Sequence, residues 1–216
     1  MVVLGLDSTG KSASAALVKD GKVLAEKFQN SGYTHSETLA PMLCELLCET
    51  GISAGQIDLI AVTAGPGSFT GIRIGLATVK GFAFAYDTPC QPISTLSCLA
   101  YPLSDFEGIV CPALDARRGQ IYNALFQGGQ RLTEDRAIAA ADLEGLSGPV
   151  CLLGDGAELC LSYLPQAVLP PPEYLLQRAV FAALMADINQ AVSPDMLRPS
   201  YLRLSQAERE KNAKEM

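Results

Sequence analysis

The first third of the chain alternates short apolar runs with polar turns. Apolar residues dominate positions 2–6, 12–18 and 23–28, and this pattern predicts three short strands. Asp20-Gly21 stands between the second and third runs and is typical of a tight hairpin turn. The chain is therefore predicted to open with three antiparallel strands.

Two helices follow, separated by a strand. The first is predicted to begin near a cap at Ser36 and to end at Gly51. Its apolar side chains recur at helical spacing, at Leu39, Met42, Leu43, Leu46 and Leu47. An apolar strand at 59–62 then leads through a glycine-rich turn into a second apolar helix over 72–86, with Thr70 as its predicted N-cap.

The glycine-rich turn between that strand and helix has two interpretations. Free N–H groups at a helix N-terminus favour anions, which would suit a phosphate. The turn lacks the lysine and the spacing of a Walker loop, and it does not follow the dinucleotide fingerprint. Gly71 and Gly75 share one helix face, so the turn can instead serve close packing of strand and helix.

The second half repeats the order of the first. Residues 109–114 lead into Asp115 as residues 2–6 lead into Asp7, and this parallel suggests an internal duplication. Strands are expected at 121–126 and 150–153, and a helix is expected over 173–189. We therefore predict an α/β protein with two units, 1–105 and 106–216, a hinge near residue 105, and a tail after residue 189 that crosses back to the first unit.

Composition limits the function. The 216 residues are 49% hydrophobic, which suffices for a core, and no apolar stretch has membrane-spanning length. The start of the chain lacks the features of a signal peptide, so we expect a cytoplasmic protein without a membrane partner. The formal net charge is −7, which predicts that tRNA or any other nucleic acid is reached only through a partner.

The seven cysteines include no CxxC pair. An odd number without a secretory signal predicts reduced, mostly buried thiols. Cys44 and Cys48 are four residues apart on one helix face, but no nearby histidine or cysteine completes a metal site.

Several segments carry a family resemblance. The first is the glycine-rich turn with the start of its helix; the second follows the strand at 109–114; later ones are Gly154-Asp155-Gly156 and residues 199–203. The signature positions of the first two segments are Gly65, Pro66, Gly67, Ser68, Phe69, Thr70, Gly71, Arg73 and Gly75, then Asp115, Arg117 and Arg118. In this order they resemble the TsaB (YeaZ-like) family of bacterial tRNA threonylcarbamoyladenosine biosynthesis proteins.

The resemblance implies a fold and a function. The implied fold is the duplicated actin-like ATPase (ASKHA, ribonuclease H-like) fold with a degenerate second half. The implied function is that of a non-catalytic subunit that binds the paralogous transferase TsaD and supports N6-threonylcarbamoylation of adenosine 37 in tRNA (t6A). The same system includes the ATPase TsaE, and ATP or ADP is expected at the junction of the complex rather than as a cofactor of this chain.

In active members of that fold, two aspartate-bearing hairpins close on nucleotide phosphates. The matching positions here form an expected vestigial cleft, at Asp7, Ser8, Thr9, Asp115, Gly154 and Asp155. Arg117 and Arg118 stand where compact residues would suit a phosphate, although arginine can also bind phosphate itself. We favour a degenerate cleft in which these arginines pair with carboxylates of this chain or of a partner; exposed, solvated arginines are the alternative.

The residue inventory argues against catalysis by this chain. TsaD binds its metal through two histidines, and the corresponding positions by motif order are Thr95 and Leu99. The chain has one histidine, His35, so a two-histidine metal site within one subunit is excluded, and a metallopeptidase-like protein is a less favoured alternative. We assign His35 to a capping or loop role, and we reject Ser68 as a nucleophile because GxSxG is absent.

A partner surface is expected on the two helices. The second helix is apolar around most of its circumference, so more than one side must be covered. The expected interface residues are Leu39, Met42, Leu43, Leu46, Ile72, Leu76 and Val79, although the first four suit a plain core equally well. The partner would be TsaD, and a homodimer could use the same helices. The alternative function is a stand-alone ATPase or kinase that uses Asp7, Thr9 and Asp115.

Overall fold

The first half of the protein is built on a five-stranded sheet. We describe a computed structural model over residues 1–30 and 34–203. The strands, in the order β3-β2-β1-β4-β5, are β1 (Val2–Asp7), β2 (Ala13–Lys19), β3 (Lys22–Gln29), β4 (Leu59–Gly65) and β5 (Cys90–Ser94). Strands β1 to β3 are antiparallel, whereas β4 and β5 run parallel to β1. The predicted opening of three antiparallel strands is confirmed.

Both faces of this sheet are covered. Helices α1 (His35–Thr50) and α2 (Phe69–Phe84) pack on one face, where β1 contributes Val2, Leu4 and Leu6. The short helix α5 (Ala179–Leu184) packs on the other face, where β1 contributes Val3. Successive strand residues point to opposite faces, so a strand buried on both faces is apolar throughout. This explains the uninterrupted apolar runs of β1 and β4.

The seven expected interface residues lie in the core of the first half, so the sequence-based assignment is wrong at the level of side chains. None is more than 6% exposed, and all belong to the cluster between the sheet and the two helices: Leu39, Met42, Leu43, Leu46, Ile72, Leu76 and Val79. An apolar stripe at helical spacing points inward wherever its own sheet is available to cover it. A partner of these helices would contact other positions.

The helix ends differ from those expected. The N-cap of α2 is Ser68 rather than Thr70, because the Ser68 hydroxyl accepts a hydrogen bond from the Gly71 amide at 3.2 Å. Helix α1 begins one residue before Ser36, after Thr34. Its predicted end at Gly51 is confirmed, with φ of 65° at that glycine.

The second half repeats the strand order with reduced helices. Its elements are β6 (Ile109–Asp115), β7 (Gln120–Asn123), β8 (Phe126–Gln127), β9 (Gln130–Arg131), β10 (Arg136–Ala139), β11 (Val150–Leu153) and helix α4 (Ala157–Leu161). The arrangement β10-β7-β6, with β11 parallel to β6, matches β3-β2-β1-β4 of the first half. A single 3-10 turn, Ala140–Leu143, stands where the first half has the long helix α1. Helix α3 (Thr95–Ala100) and the 3-10 turn Tyr101–Leu103 connect the halves.

Two elements predicted for the second half are broken. The strand expected at 121–126 splits into β7 and β8 at a point opposite Pro112, which has no N–H for the sheet. The helix expected over 173–189 consists of the 3-10 turn Pro172–Tyr174, helix α5 and the 3-10 turn Ile188–Gln190. Arg178 interrupts it, because its backbone is extended and its guanidinium binds Glu26 with an Nε–Oε1 distance of 3.1 Å.

The chain returns to the first half earlier than predicted. Helix α5 already packs on β1, β2 and β4, and Gly5 makes this possible, since a Cβ there would lie 2.2 Å from the Ala179 oxygen. Beyond residue 189, Val192 forms an isolated bridge with Cys90 of β5. A last 3-10 turn, Pro194–Met196, then lies beside α2. The hinge near residue 105 stays a prediction, and the tail beyond Arg203 lies outside the described residues. Within the described part of the chain, no helix is long and apolar enough to cross a bilayer.

We predict that glutamate changes the free energy of unfolding by very different amounts at two neighbouring positions of α2. Leu76 is 5% exposed in the core, whereas Ala77 is exposed. Leu76→Glu should cost several kcal/mol because it buries an unpaired charge, and Ala77→Glu should change the free energy of unfolding by less than about 0.5 kcal/mol. Urea denaturation followed by circular dichroism measures both. Equal stability of the two variants would contradict the core assignment.

Candidate functional site

A cleft of about 350 Å³ separates the two halves. Its walls come from the β1–β2 turn, the glycine-rich turn before α2, the β6–β7 hairpin and residues 200–203. Of the six positions expected to form a vestigial cleft, Thr9, Asp115 and Asp155 line it, whereas Asp7, Ser8 and Gly154 are buried behind its walls. Of the glycine-rich signature, Pro66, Gly67, Ser68 and Phe69 line it.

The glycines of the signature bring α2 onto the β1–β2 turn. A Cβ at Gly71 would lie 2.1 Å from the Ser8 carbonyl oxygen, and one at Gly75 would lie 2.3 Å from the Ser8 hydroxyl. That hydroxyl donates a hydrogen bond back to the Gly71 carbonyl at 2.9 Å. A Cβ at Gly67 would lie 2.4 Å from the Thr9 carbonyl oxygen. The packing interpretation of the turn is therefore the one that its geometry supports.

The amides at the start of α2 are partly used within the protein. The Ser68 N–H donates to the Thr9 carbonyl at 2.7 Å, and the Gly71 N–H donates to the Ser68 hydroxyl. An anion at this helix end would have to compete with these bonds or use the remaining amides.

Asp7 is a buried structural carboxylate. It is fully buried, and its two oxygens accept hydrogen bonds from the Thr9 amide and the Thr9 hydroxyl, each at 3.1 Å. Desolvation by burial raises the pKa of Asp7, and the hydrogen bonds from Thr63 and Thr9 lower it in part. The side chain thus holds the β1–β2 turn in shape rather than facing the cleft.

The β6–β7 hairpin presents two arginines at its tip. Arg117 and Arg118 have φ of 67° and 58°, a region that costs a non-glycine residue free energy. The Arg117 amide donates to Asp115 at 2.7 Å, and its guanidinium lies 3.8 Å from the same carboxylate. Arg118 is exposed, and no carboxylate among the described residues lies within ion-pair distance of it. The predicted internal pairing therefore applies, weakly, to Arg117 alone.

Asp155 supports that hairpin from below. Its carboxylate accepts a hydrogen bond from the Asp115 amide at 3.0 Å. Gly154 has φ of 93°, and a Cβ there would lie 2.2 Å from the Ala113 oxygen. The Gly154-Asp155-Gly156 segment consequently positions β6 and its hairpin.

Residues 199–203 join the two halves across the cleft, a role that the sequence reasoning missed. The Ser200 amide donates to the Ala64 carbonyl at 2.7 Å at the end of β4. Three residues later, the Arg203 guanidinium donates to the Ala116 carbonyl of the second hairpin at 3.0 Å. In the sequence, residues 199–203 are recognisable only as one of the motifs that resemble the family. Their local pattern does not reveal contacts with residues so far away in the chain.

Tyr201 of the same segment joins a stack of planar groups. Its ring lies 4.6 Å from the ring of Phe69, and the Arg73 guanidinium lies 3.8 Å from the Phe69 ring centre. Arg73 Nε also donates to the Tyr201 hydroxyl at 2.9 Å. Offset rings and a guanidinium over a ring attract each other at these distances.

Two polar side chains lie beside the β1–β2 turn. The Nε2 of His35 lies 2.9 Å from the Gly10 carbonyl oxygen, so His35 contacts this loop, whereas the N-cap of α1 is Thr34. Gln177 is 1% exposed beside Gly10, and its amide nitrogen has no hydrogen-bond partner among the described residues. Thr95 and Leu99 are buried in α3. The described residues contain no group of three or more side chains that could hold a metal ion.

The cysteines divide into two classes. Five are buried, and burial raises the pKa of Cys90, Cys151 and Cys160 to about 11 and that of Cys111 to about 12. Burial also raises the pKa of Cys98. Cys44 and Cys48 are exposed on α1. Because the thiolate is the reactive form, only these two are expected to react rapidly.

Comparison with known proteins finds relatives that are named for tRNA threonylcarbamoyladenosine modification. The family model described as TsaD, tRNA N6-adenosine threonylcarbamoyltransferase, matches residues 22–155. The chain is 31% identical over 222 residues to the tRNA threonylcarbamoyladenosine biosynthesis protein TsaB of Bacillus subtilis, with 96% of each chain covered. It is 36% identical over 129 residues to the Escherichia coli protein of the same name, which covers 59% of this chain and 55% of that protein.

Solved structures agree with these relatives. YeaZ from Pseudomonas aeruginosa superposes with a TM-score of 0.78 at 26% identity, over 93% of this chain and 99% of that one. The activator of 2-hydroxyisocaproyl-CoA dehydratase from Clostridium difficile, solved with bound ADPNP, has a TM-score of 0.52 at 15% identity, over 100% of this chain and 98% of that one. The second likeness concerns the fold alone. The predicted duplicated actin-like ATPase fold is confirmed.

The packing role of the signature glycines predicts a contrast within α2. Gly71→Ala should destabilise the protein by about 1–3 kcal/mol, because its Cβ would meet backbone. Gly81→Ala on the same helix should stabilise it by about 0.4–1 kcal/mol, since nothing lies within 4 Å of a Cβ there. Denaturant unfolding of both variants checks this. A Gly71→Ala protein as stable as the wild type would refute the packing role.

Proposed function

The chain belongs to the TsaB family of tRNA threonylcarbamoyladenosine biosynthesis proteins, and we propose that in this pathway it is a non-catalytic subunit that binds TsaD. Its role in t6A modification follows from family membership. The finer claim, that it supports a transferase without catalysing a step, depends on one observation. Helices α1 and α2 carry an outer face of small and apolar residues that the described chain covers only in part.

This outer face consists of two matching stripes. Its members are exposed or partly exposed, and none is charged: Ala40, Cys44 and Leu47 on α1, and Ile74, Thr78 and Gly81 on α2. Each stripe has the spacing i, i+4, i+7, which places its three residues on one side of the helix. We call these six residues the docking face.

The docking face suits another pair of helices. Helices α1 and α2 contact each other, so both stripes belong to one packed helix pair. Small side chains such as Ala40 and Gly81 allow a second helix pair to approach at the 8–10 Å typical of close packing. TsaD matches this chain in sequence, so the equivalent helices of TsaD are the partner that we propose. The same face would also allow a homodimer, in competition with TsaD.

The geometry of the cleft favours a subunit that assists TsaD over one that catalyses a reaction itself. Asp7 is buried in hydrogen bonds, and His35 is bonded to the backbone. Residues 200–203 occupy one wall of the cleft where the two hairpins would close on a nucleotide. These features disfavour the stand-alone ATPase or kinase. We propose that TsaE and ATP or ADP act on the assembled complex, at its junction, and that the complex works in the cytoplasm.

A bulky charged residue in the docking face should block the complex. Gly81→Arg adds its side chain into open space, so the monomer should fold normally and binding to TsaD should weaken at least about tenfold. Ser162→Arg, at the exposed end of α4, adds the same charge elsewhere and should bind as the wild type does. Size-exclusion chromatography with TsaD measures both. Undiminished binding by Gly81→Arg would refute this face as the interface.

The exposed cysteines provide a second test with the unmodified chain. In the free protein, Cys44 and Cys48 should react rapidly with a maleimide and the five buried thiols slowly. Saturating TsaD should slow the modification of Cys44, which lies in the docking face, as read by mass spectrometry of tryptic peptides. An unchanged rate for Cys44 in the saturated complex would contradict the proposed docking.

A further inference from the structure

Two depressions of the surface meet at Tyr201. One is the cleft between the halves, and the other is a groove of about 680 Å³ between α2 and residues 195–201. Tyr201 lines both. The groove lies on the flank of α2 that faces the turn Pro194–Met196. None of the residues that line the groove belongs to the docking face.

Cations far apart in the sequence collect along this joined surface. Three line the cleft and three line the groove, and we call them the basic strip: Lys11, Arg117 and Arg203, then Arg73, Lys80 and Arg198. The carboxylates that line the same surface are Asp115, Asp155 and Asp195. Cations thus outnumber carboxylates two to one here, although the whole chain has 23 acidic and 16 basic residues.

The strip keeps most of its charge available. Of its six cations, only Arg117 has a carboxylate within ion-pair distance among the described residues, at 3.8 Å. Arg198 and Arg203 donate to backbone carbonyls, which do not neutralise a charge, although Arg198 also lies close enough to Asp195 to help lower the pKa of that carboxyl. By contrast, Arg131 and Arg178 elsewhere in the described chain are paired at 2.5 Å with Asp135 and Glu26.

The three carboxylates beside the basic strip accept hydrogen bonds from other groups of the same chain. Asp115 accepts from the Arg117 amide, and Asp155 accepts from the Asp115 amide. Asp195 accepts from the Ser193 hydroxyl, whose bond lowers the pKa of this carboxyl. The local balance remains positive when all three are counted as ionised.

Planar groups are interleaved with these cations. The stack of Arg73, Phe69 and Tyr201 stands at the point where cleft and groove meet, and Phe84, at the rim of the groove, is 61% exposed. Aromatic rings and guanidinium planes are the groups on which unpaired bases stack, and lysine and arginine neutralise phosphates. An acidic polypeptide would need the cations but not the rings.

We propose that the basic strip binds the phosphate backbone and an unstacked base of the tRNA that the complex modifies. The identity of the RNA in this inference rests on the proposed function. The cations and the aromatic rings of the site are features of the structure itself. It changes the expectation, drawn from the net charge of −7, that RNA is reached only through a partner. Acidic residues elsewhere on the chain would confine RNA to this strip.

The test is the affinity of the complex with TsaD for an unmodified tRNA transcript, measured by filter binding over a series of salt concentrations. The double variant Lys80→Ala/Arg198→Ala should weaken binding several-fold and reduce the salt slope by about one for each phosphate that is no longer neutralised. The control Lys19→Ala/Lys22→Ala removes two exposed cations at the β2–β3 turn and should leave both quantities unchanged.

A second pair of variants tests the stacking. Tyr201→Ala should lower tRNA affinity with little change in salt slope, and Tyr201→Phe should retain it, because the ring rather than the hydroxyl meets the base. Polyglutamate serves as the competing polyanion. Displacement of tRNA by polyglutamate at equal charge concentration would overturn the assignment in favour of an acidic protein partner.

The outcomes separate this inference from the proposed function. If the strip variants bind TsaD normally and tRNA with unchanged affinity, the strip is not an RNA site and the proposed function stands. If the strip variants lose TsaD instead, the groove is part of the protein interface and the RNA assignment is overturned. If the wild-type chain does not bind TsaD, the proposed function itself fails.

Discussion

The fold depends on the contact between helix α2 and the turn that follows β1. Ser8 meets the helix where Gly71 and Gly75 have no Cβ, and Thr9 meets the turn before the helix where Gly67 has none. This contact sets the distance between the helix and the sheet. It also fixes the turn that carries Asp7, and it places Phe69 in the wall of the cleft, with the Arg73 guanidinium over its ring. A motif that resembles a ligand loop in sequence is therefore used here mainly for packing, and the surfaces around it become available for partners.

Helix α2 consequently serves three different neighbours around its circumference. Ile72, Leu76 and Val79 fill the core. The stripe at Ile74, Thr78 and Gly81 forms half of the proposed docking face. The flank at Arg73 and Lys80 faces the groove. A helix that is apolar around most of its surface can bury one side and still offer the others, so its composition alone did not distinguish core from interface.

The sequence predicted four of the five strands of the first half, β5 excepted, and the close approach at Gly71 and Gly75, because apolar runs between polar turns and glycine both report local geometry. It failed where distant residues decide. Arg178, whose guanidinium binds Glu26, has an extended backbone within the expected helix over 173–189, and Pro112 opposes the break between β7 and β8. The assignment of the core stripe to a partner failed because periodicity gives the apolar face but not what covers it. The basic strip could not be seen in the sequence, since its six members are spread from Lys11 to Arg203.

The central claim is that this chain acts by assembling with TsaD and performs no chemistry alone. The most direct measurement is t6A formed on a tRNA transcript, with threonylcarbamoyl-AMP supplied and TsaD held constant while this chain is titrated. The account predicts no product from this chain alone, and a yield that rises with added chain and reaches a plateau at one equivalent per TsaD. Product formed in the absence of TsaD, or a yield that does not respond to this chain, would contradict it.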